Sequence, residues 1–221
     1  MFHDRTDAGR QLASALQRYA GHAKGLILAI PRGGVLVGLE LSRALKLPLD
    51  VLITRKIGAP GNPELALGAL AETGYLYLNQ DILAFYPGWT RFVEEERKRQ
   101  EEEIQRRKEL YRHGQPLPVL TGWTVLLVDD GVATGATYLA SIAALRAAGV
   151  AAIVAALPVA PSETAQRIQR LVDDCVVLDT PEPFEAVGLH YRRFDQVSDA
   201  EVLQALDTSG KPTGSDGHTS A

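Results

Sequence analysis

The chain has 221 residues, room for one domain with a real core, and its 46% hydrophobic and 23% charged residues are ordinary for a globular protein. A net charge of −4 argues against a basic stripe for nucleic acid, yet an anionic ligand remains possible because anion sites are built from backbone N–H groups and a few basic side chains. The one cysteine, Cys175, excludes an intrachain disulfide, is expected to be a small buried residue with no basic group beside it to activate a thiol, and suits a cytoplasmic location.

Met1 to Lys24 carries Asp4 and Asp7 and does not read as a signal peptide, and no apolar run is long enough to span a membrane. Asp7 to Tyr19 is predicted as a helix, with Leu12, Leu16 and Tyr19 on one face. Leu26 to Ile30 is a continuous apolar strand ending in Pro31-Arg32-Gly33-Gly34, followed by a helix from Val35 to Leu45 and a second strand from Leu49 to Thr54. Arg55 to Asn62 reads as a Gly/Pro-rich loop and Ala69 to Leu78 as a weak strand or hairpin. Trp89 to His113 is predicted as a long charged helix, solvated and laced with i,i+4 pairs, with a thin apolar stripe of Phe92, Ile104, Leu110 and Tyr111. Thr124 to Val128 is a strand, and Thr137 to Ala148 an Ala-rich helix with Gly149 at C′. Ala151 to Leu157 is a strand, Ser162 to Leu171 a helix with Ser162 as N-cap, and Cys175 to Leu178 a strand.

Strands that alternate with helices and are apolar throughout predict an α/β fold with a mostly parallel sheet flanked by helices. Such sheets bind ligands at the carboxyl ends of their strands, which points to the loops after Ile30, Thr54 and Val128. Residues 1–207 are expected to form one domain and 208–221 a disordered tail that has little apolar surface to bury.

The loop after Val128 carries the most chemistry. Asp129 and Asp130 stand at the end of a buried strand, Gly131-Val132-Ala133-Thr134-Gly135-Ala136-Thr137 follows, and a helix begins. The small residues let backbone N–H groups close on a phosphate at the helix N-terminus, where the dipole favours negative charge, and Thr134 and Thr137 add hydroxyls. Two carboxylates beside a phosphate would repel it unless they meet sugar hydroxyls or a metal ion.

This segment resembles the 5-phosphoribosyl-1-pyrophosphate (PRPP) motif of type I phosphoribosyltransferases: apolar residues, two acidic residues, two variable positions, then a small residue-Thr-Gly-x-Thr. The resemblance implies that Asp129 and Asp130 bind the ribose hydroxyls, and that Ala133, Thr134, Gly135, Ala136 and Thr137 bind the 5′-phosphate. Arg32, Gly33 and Gly34 stand where the family has its pyrophosphate loop. Thr54-Arg55-Lys56-Ile57-Gly58-Ala59-Pro60-Gly61 resembles the start of the family's mobile catalytic loop, most of all that of adenine phosphoribosyltransferases, so Arg55 and Lys56 are expected to meet pyrophosphate oxygens. These matches span roughly residues 25–148.

The implied reaction moves the phosphoribosyl group from PRPP to a nucleobase or another small nucleophile with Mg2+ as cofactor, and Lys56, Arg55 and Asp130 are the candidate catalytic residues. The metal would be met by Asp129 and Asp130, directly or through PRPP oxygens. The alternative is a non-catalytic PRPP or nucleotide-binding regulator of the same fold. Ala133 holds a position that is Asp in hypoxanthine-type relatives, so the base, if one is needed, lies elsewhere. Leu178 to Tyr191 resembles the base-stacking segment of those relatives, which makes Phe184 and Val187 the candidate acceptor pocket, and His190 is expected at the surface. No lysine lies between Lys108 and Lys211 to read a 6-oxo group. A small hood is expected from residues 1–24, the Phe85-Tyr86-Pro87-Gly88-Trp89 region and residues 180–200, with the helical insertion at 89–113 adding to it or to a homodimer contact. No nucleic-acid or membrane partner is expected.

Overall fold

The computed structural model describes residues 1–85 and 87–209. Helix α1 (Arg5–Ala15) begins where the Asp4 side chain accepts from the backbone N–H of Asp7 at 3.0 Å. It ends earlier than the apolar spacing predicts, continuing as a 3-10 turn over Gln17–Tyr19, because the chain reverses at Gly21 (φ 66°) to enter β1 (Gly25–Ala29). Then come α2 (Gly33–Leu45), β2 (Leu49–Val51), an antiparallel excursion of β3 (Thr54–Ala59), β4 (Asn62–Ala71) and β5 (Leu76–Leu78), and helices α3 (Gln80–Phe85) and α4 (Thr90–Arg112). The second half alternates β6 (Thr124–Val128), α5 (Ala136–Ala147), β7 (Ala152–Val159), α6 (Ser162–Gln169) and β8 (Asp174–Asp179), and closes with α7 (Asp199–Thr208).

The main sheet has the order β2-β1-β6-β7-β8 and every pair in it is parallel. Apart from Thr124 at the start of β6, its central strands are apolar because both faces are covered. Ile27, Ala29, Leu126 and Val128 pack toward α1 and α2, while Leu26, Leu28, Val125 and Leu127 pack toward α5. The chain runs outward from β1 in one direction and from β6 in the other. The neighbours β1 and β6, paired from Gly25↔Thr124 to Ala29↔Val128, therefore form the switch point at which their two following loops emerge side by side.

The segment expected as a Gly/Pro-rich loop is instead β3, the first strand of a second sheet, paired with β4 from Thr54↔Ala71 to Ala59↔Asn62. Its glycines give no sign of this because they serve the hairpin: Gly58 falls at a register shift, and Gly61 turns the chain at φ 73°. The strand or hairpin expected from Ala69 to Leu78 is a hairpin, the end of β4 turning at Gly74 into β5. The Thr54 hydroxyl meets that of Ser141 on α5 at 2.8 Å, tying the hairpin to the helix behind the β6 loop. Helix α6 starts at Ser162 with Pro161 as the cap residue, so Ser162 is its first helical residue and makes no side-chain cap. Cys175 is half-buried against the core rather than fully buried. Thr208 still belongs to α7, and the rest of the expected tail from residue 210, like Tyr86 of the expected hood, lies outside the described residues. No helix among the described residues is long and apolar enough to cross a membrane.

Helix α4 carries the expected ion pairs along its outer face, among them Arg91–Glu95 and Arg97–Glu101. Its inner stripe is Val93, Ile104 and Tyr111, with Phe92 and Leu110 only partly covered. At its end Arg112 enters the protein, pairs with Glu72 and lies 3.8 Å from Asp50, and all three side chains are nearly buried. Removing the cation would leave two buried carboxylates without it. Arg112→Ala is therefore expected to destabilise the fold by about 3–5 kcal/mol, read as a lower midpoint in urea unfolding. A midpoint within error of wild type would show that these carboxylates find other partners.

Candidate functional site

Strand β6 delivers Asp129 and Asp130 to the switch point, and the loop that follows is shaped by backbone rather than bulk. Gly135, at φ 81° and ψ 0°, is the cap residue of α5, a conformation that disfavours any residue with a Cβ. The loop is tied from two sides: the Val132 N–H donates to the Val159 carbonyl at 3.0 Å, and the Thr164 hydroxyl to the Ala133 carbonyl at 2.9 Å. Ala133 and Thr134 remain exposed, and Ala136 and Thr137 are half-buried at the first turn of α5. A cleft of about 280 Å3 lies over this helix start, lined by Asp129, Thr134, Gly135 and Thr137 and, from β3, by Lys56. The first-turn N–H groups and the helix dipole make it a place for a phosphate.

The acidic pair is largely buried. Asp129 Oδ1 accepts from the Asp130 N–H at 2.8 Å, and Asp130 Oδ2 accepts from Arg5 Nε at 2.7 Å. Arg5 Nη1 donates to the Asp195 carbonyl at 2.8 Å, and its guanidinium carbon lies 3.8 Å from the centre of the Phe194 ring. The Tyr191 hydroxyl donates to the Asp130 carbonyl at 2.5 Å. Sequence reading missed Arg5 because 125 positions separate it from Asp130 and nothing in its neighbourhood marks it. Burial and the charge of Asp130 push the Asp129 carboxyl well above the usual carboxylate range. Burial raises Asp130 too, against the opposing pull of Arg5. Ionising both carboxyls together is therefore costly, and the Arg5 guanidinium favours negative charge on Asp130.

Gly33 and Gly34 prove necessary for a reason beyond approach to a ligand. A Cβ on Gly33 would stand 1.8 Å from Asp130 Oδ2, and one on Gly34 2.9 Å from the Asp129 Cα. The turn after β1 lies directly on the carboxylates delivered by β6. Arg32 heads α2 at the edge of a second cleft of about 320 Å3, shared with Arg5, Gly33 and Phe194, and its guanidinium lies 4.0 Å from Asp199. Tyr111 of α4 donates to that same carboxylate at 2.5 Å.

Arg55 and Lys56 are separated. Successive strand residues face opposite ways. Lys56 faces the cleft over the start of α5, whereas Arg55 turns to α4 and donates to Gln100 at 2.9 Å. Burial, helped by the nearby Arg107, lowers the Arg55 pKa. Phe184 and Val187 are half-buried in a small cluster with Val159, Tyr191 and Phe194. Val187 sits over Gly131, where an added Cβ would meet it at 2.5 Å. His190 is not the surface residue expected: it is half-buried, its ring stacks on Phe184 with centroids 5.0 Å apart, and its Nε2 has no hydrogen-bond partner. Among the described residues no group of three or more His, Cys, Asp or Glu side chains is placed to hold a metal ion. Two adjacent carboxylates fit a Mg2+ ion that keeps substrate phosphate oxygens as ligands, not one held by a protein cage.

The phosphoribosyl transferase domain family profile matches residues 2–192. Two Mycobacterium tuberculosis proteins, from strains CDC 1551 and H37Rv and provisionally named phosphoribosyl transferases, are each 44% identical over 207 residues. That match covers 94% of this chain and 46% of theirs, so the chain spans about half the length of the curated relatives it matches. The solved structure of TT1426 from Thermus thermophilus is 40% identical, covers 95% of this chain and 99% of its own, and superposes with a TM-score of 0.78.

A carboxyl whose folded pKa is raised above its ordinary 3.8 binds more protons folded than unfolded once the pH exceeds that value, so stability falls as pH rises through the interval. In metal-free buffer, Asp129→Asn keeps the acceptor for the Asp130 N–H and removes this cost. The variant is expected to melt above wild type at neutral pH, with a shallower loss of stability as pH rises above the ordinary carboxyl value of 3.8. Parallel stability curves for the two proteins would show that Asp129 ionises in place without penalty.

Proposed function

The chain belongs to the phosphoribosyl transferase domain family, and from that premise we propose that it transfers the 5-phosphoribosyl group from PRPP to a nucleobase or similar small nucleophile, releasing pyrophosphate. The observation that carries this reading is the convergence at the β1/β6 switch point of a phosphate-sized helix-terminus cleft, an acidic pair and a glycine turn.

In this reading the 5′-phosphate occupies the N-terminus of α5, held by the N–H groups of residues 134–137 and the Thr134 and Thr137 hydroxyls. Asp129 and Asp130 accept the ribose hydroxyls and fix the sugar over the end of β6. Arg32 and the Gly33-Gly34 backbone lie beside Asp130 on one side and Lys56 reaches in from β3 on the other, so positive groups flank the path of the departing pyrophosphate. Their work is positioning, and stabilising negative charge as the bond to the anomeric carbon breaks. Mg2+, held by Asp129 and Asp130 through donor oxygens, would supply further neutralisation of the leaving group. Arg55 joins only by giving up Gln100, a rearrangement of the hairpin that would also shield the sugar from water.

The acceptor is placed by Phe184 and Val187, the apolar wall beside Gly131. Ala133 offers no base, and the lack of a lysine between Lys108 and Lys211 disfavours a 6-oxopurine. The half-buried His190 stacks on Phe184 at that wall.

Calorimetric titration of Mg-PRPP is expected to give a Kd on the order of micromolar for wild type (about −8 kcal/mol) and no measurable binding for a Thr134→Ala, Asp130→Asn double variant. Wild type that ignores Mg-PRPP would withdraw the donor from this reading. With an acceptor identified by pyrophosphate release, Lys56→Ala is expected to lower kcat by about 10- to 1,000-fold, and an unchanged kcat would place Lys56 outside the reaction.

A further inference from the structure

Arg5 belongs to none of the segments that resemble the family's motifs, yet its guanidinium is among the most constrained groups in the molecule. The residue is 8% exposed, and its contacts leave it little freedom: Nε to Asp130 Oδ2, Nη1 to the Asp195 carbonyl, and the plane over Phe194. The same C-terminal segment holds the Asp130 main chain through the Tyr191 hydroxyl. That segment is in turn bound to the N-terminus. Phe2 and Tyr191 form a parallel bridge, the Phe2 N–H donates to the His190 carbonyl at 2.8 Å, and the Arg192 N–H to the Phe2 carbonyl at 2.9 Å. The glycine turn abuts the ion pair as well, since a Cβ on Gly33 would lie 3.0 Å from Arg5 Nε.

We propose that Arg5 is a positioning residue for Asp130: it engages one carboxylate oxygen, orients the other toward the donor's ribose, and couples that carboxylate to the position of residues 191–195. The inference rests on the PRPP reading above. A point charge would not replace Arg5, because only a planar fork reaches Asp130 and the Asp195 carbonyl together while its central carbon stands over the Phe194 ring. Movement of the 191–195 segment is then felt at the ribose-binding carboxylate, so the acceptor side and the donor side of the site meet in one side chain.

The test compares wild type, Arg5→Ala, Arg5→Lys and Phe194→Leu by Mg-PRPP calorimetry, thermal melts and, with an acceptor in hand, steady-state kinetics. Arg5→Ala is expected to weaken Mg-PRPP about tenfold or more, and Arg5→Lys to recover part of that loss. Phe194→Leu keeps the ion pair and removes its backing, and is expected to raise the KM for PRPP with little change in kcat. An Arg5→Ala protein that melts lower but binds Mg-PRPP as wild type does would overturn the proposal and leave Arg5 a structural residue. Should Arg5→Ala not fold, Arg5→Lys and Phe194→Leu decide alone: wild-type Kd and KM in both would overturn it. A wild-type protein that does not bind Mg-PRPP would instead sink the PRPP reading itself, and this inference with it.

Discussion

Two carboxylates at the end of a buried strand set the terms for everything around them. Placing Asp129 and Asp130 side by side where water is scarce raises the cost of ionising both. The molecule meets that cost with one buried guanidinium and one backbone N–H, while the Tyr191 hydroxyl holds the Asp130 main chain. The surroundings of the pair follow from this arrangement. The turn after β1 must be glycine because it lies on the carboxylates, and the Asp4-capped start of α1 places Arg5 where its guanidinium reaches Asp130. Residues 191–195 must close over the strand end because they hold that guanidinium in place. Stability is spent here in a pattern typical of sites kept ready for a ligand.

The second sheet does a different job. Packed on α5 and linked to it by the Thr54–Ser141 hydroxyl pair, the hairpin presents Lys56 to the cleft over the start of α5. The alternation of a strand necessarily sends the adjacent Arg55 the other way, onto α4. Helix α4 is thus more than a solvated rod. Its inner face holds Arg55 through Gln100 and, through Tyr111 and Asp199, borders Arg32, so one helix touches the settings of two of the cations that flank the site. Its last residue is the buried Arg112 that closes against Glu72 and Asp50.

Much of this is legible in the chain alone. The five strands of the main sheet, the helices between them and the loop from Asp129 to Thr137 follow from apolar runs, small residues and a paired acidic signal, all of which are local. The hairpin is not legible there, since glycines and a proline read as a loop unless the partner strand is known. Neither is Arg5, whose identity as an N-terminal arginine says nothing without Asp130 beside it, nor His190, whose burial depends on Phe184 and the N-terminal bridge.

By itself the sequence determined the fold class and the switch-point loop with its acidic pair and small residues, because helix starts, buried strands and glycine-containing turns are specified by residues within about ten positions of one another. Only the tertiary structure decided which cation stands against Asp130, which of the Arg55–Lys56 pair faces the cleft, and why Gly33 tolerates no side chain. Those outcomes depend on groups far apart in the chain meeting in a small, low-dielectric space, where charge pairing and contact distances are settled by packing.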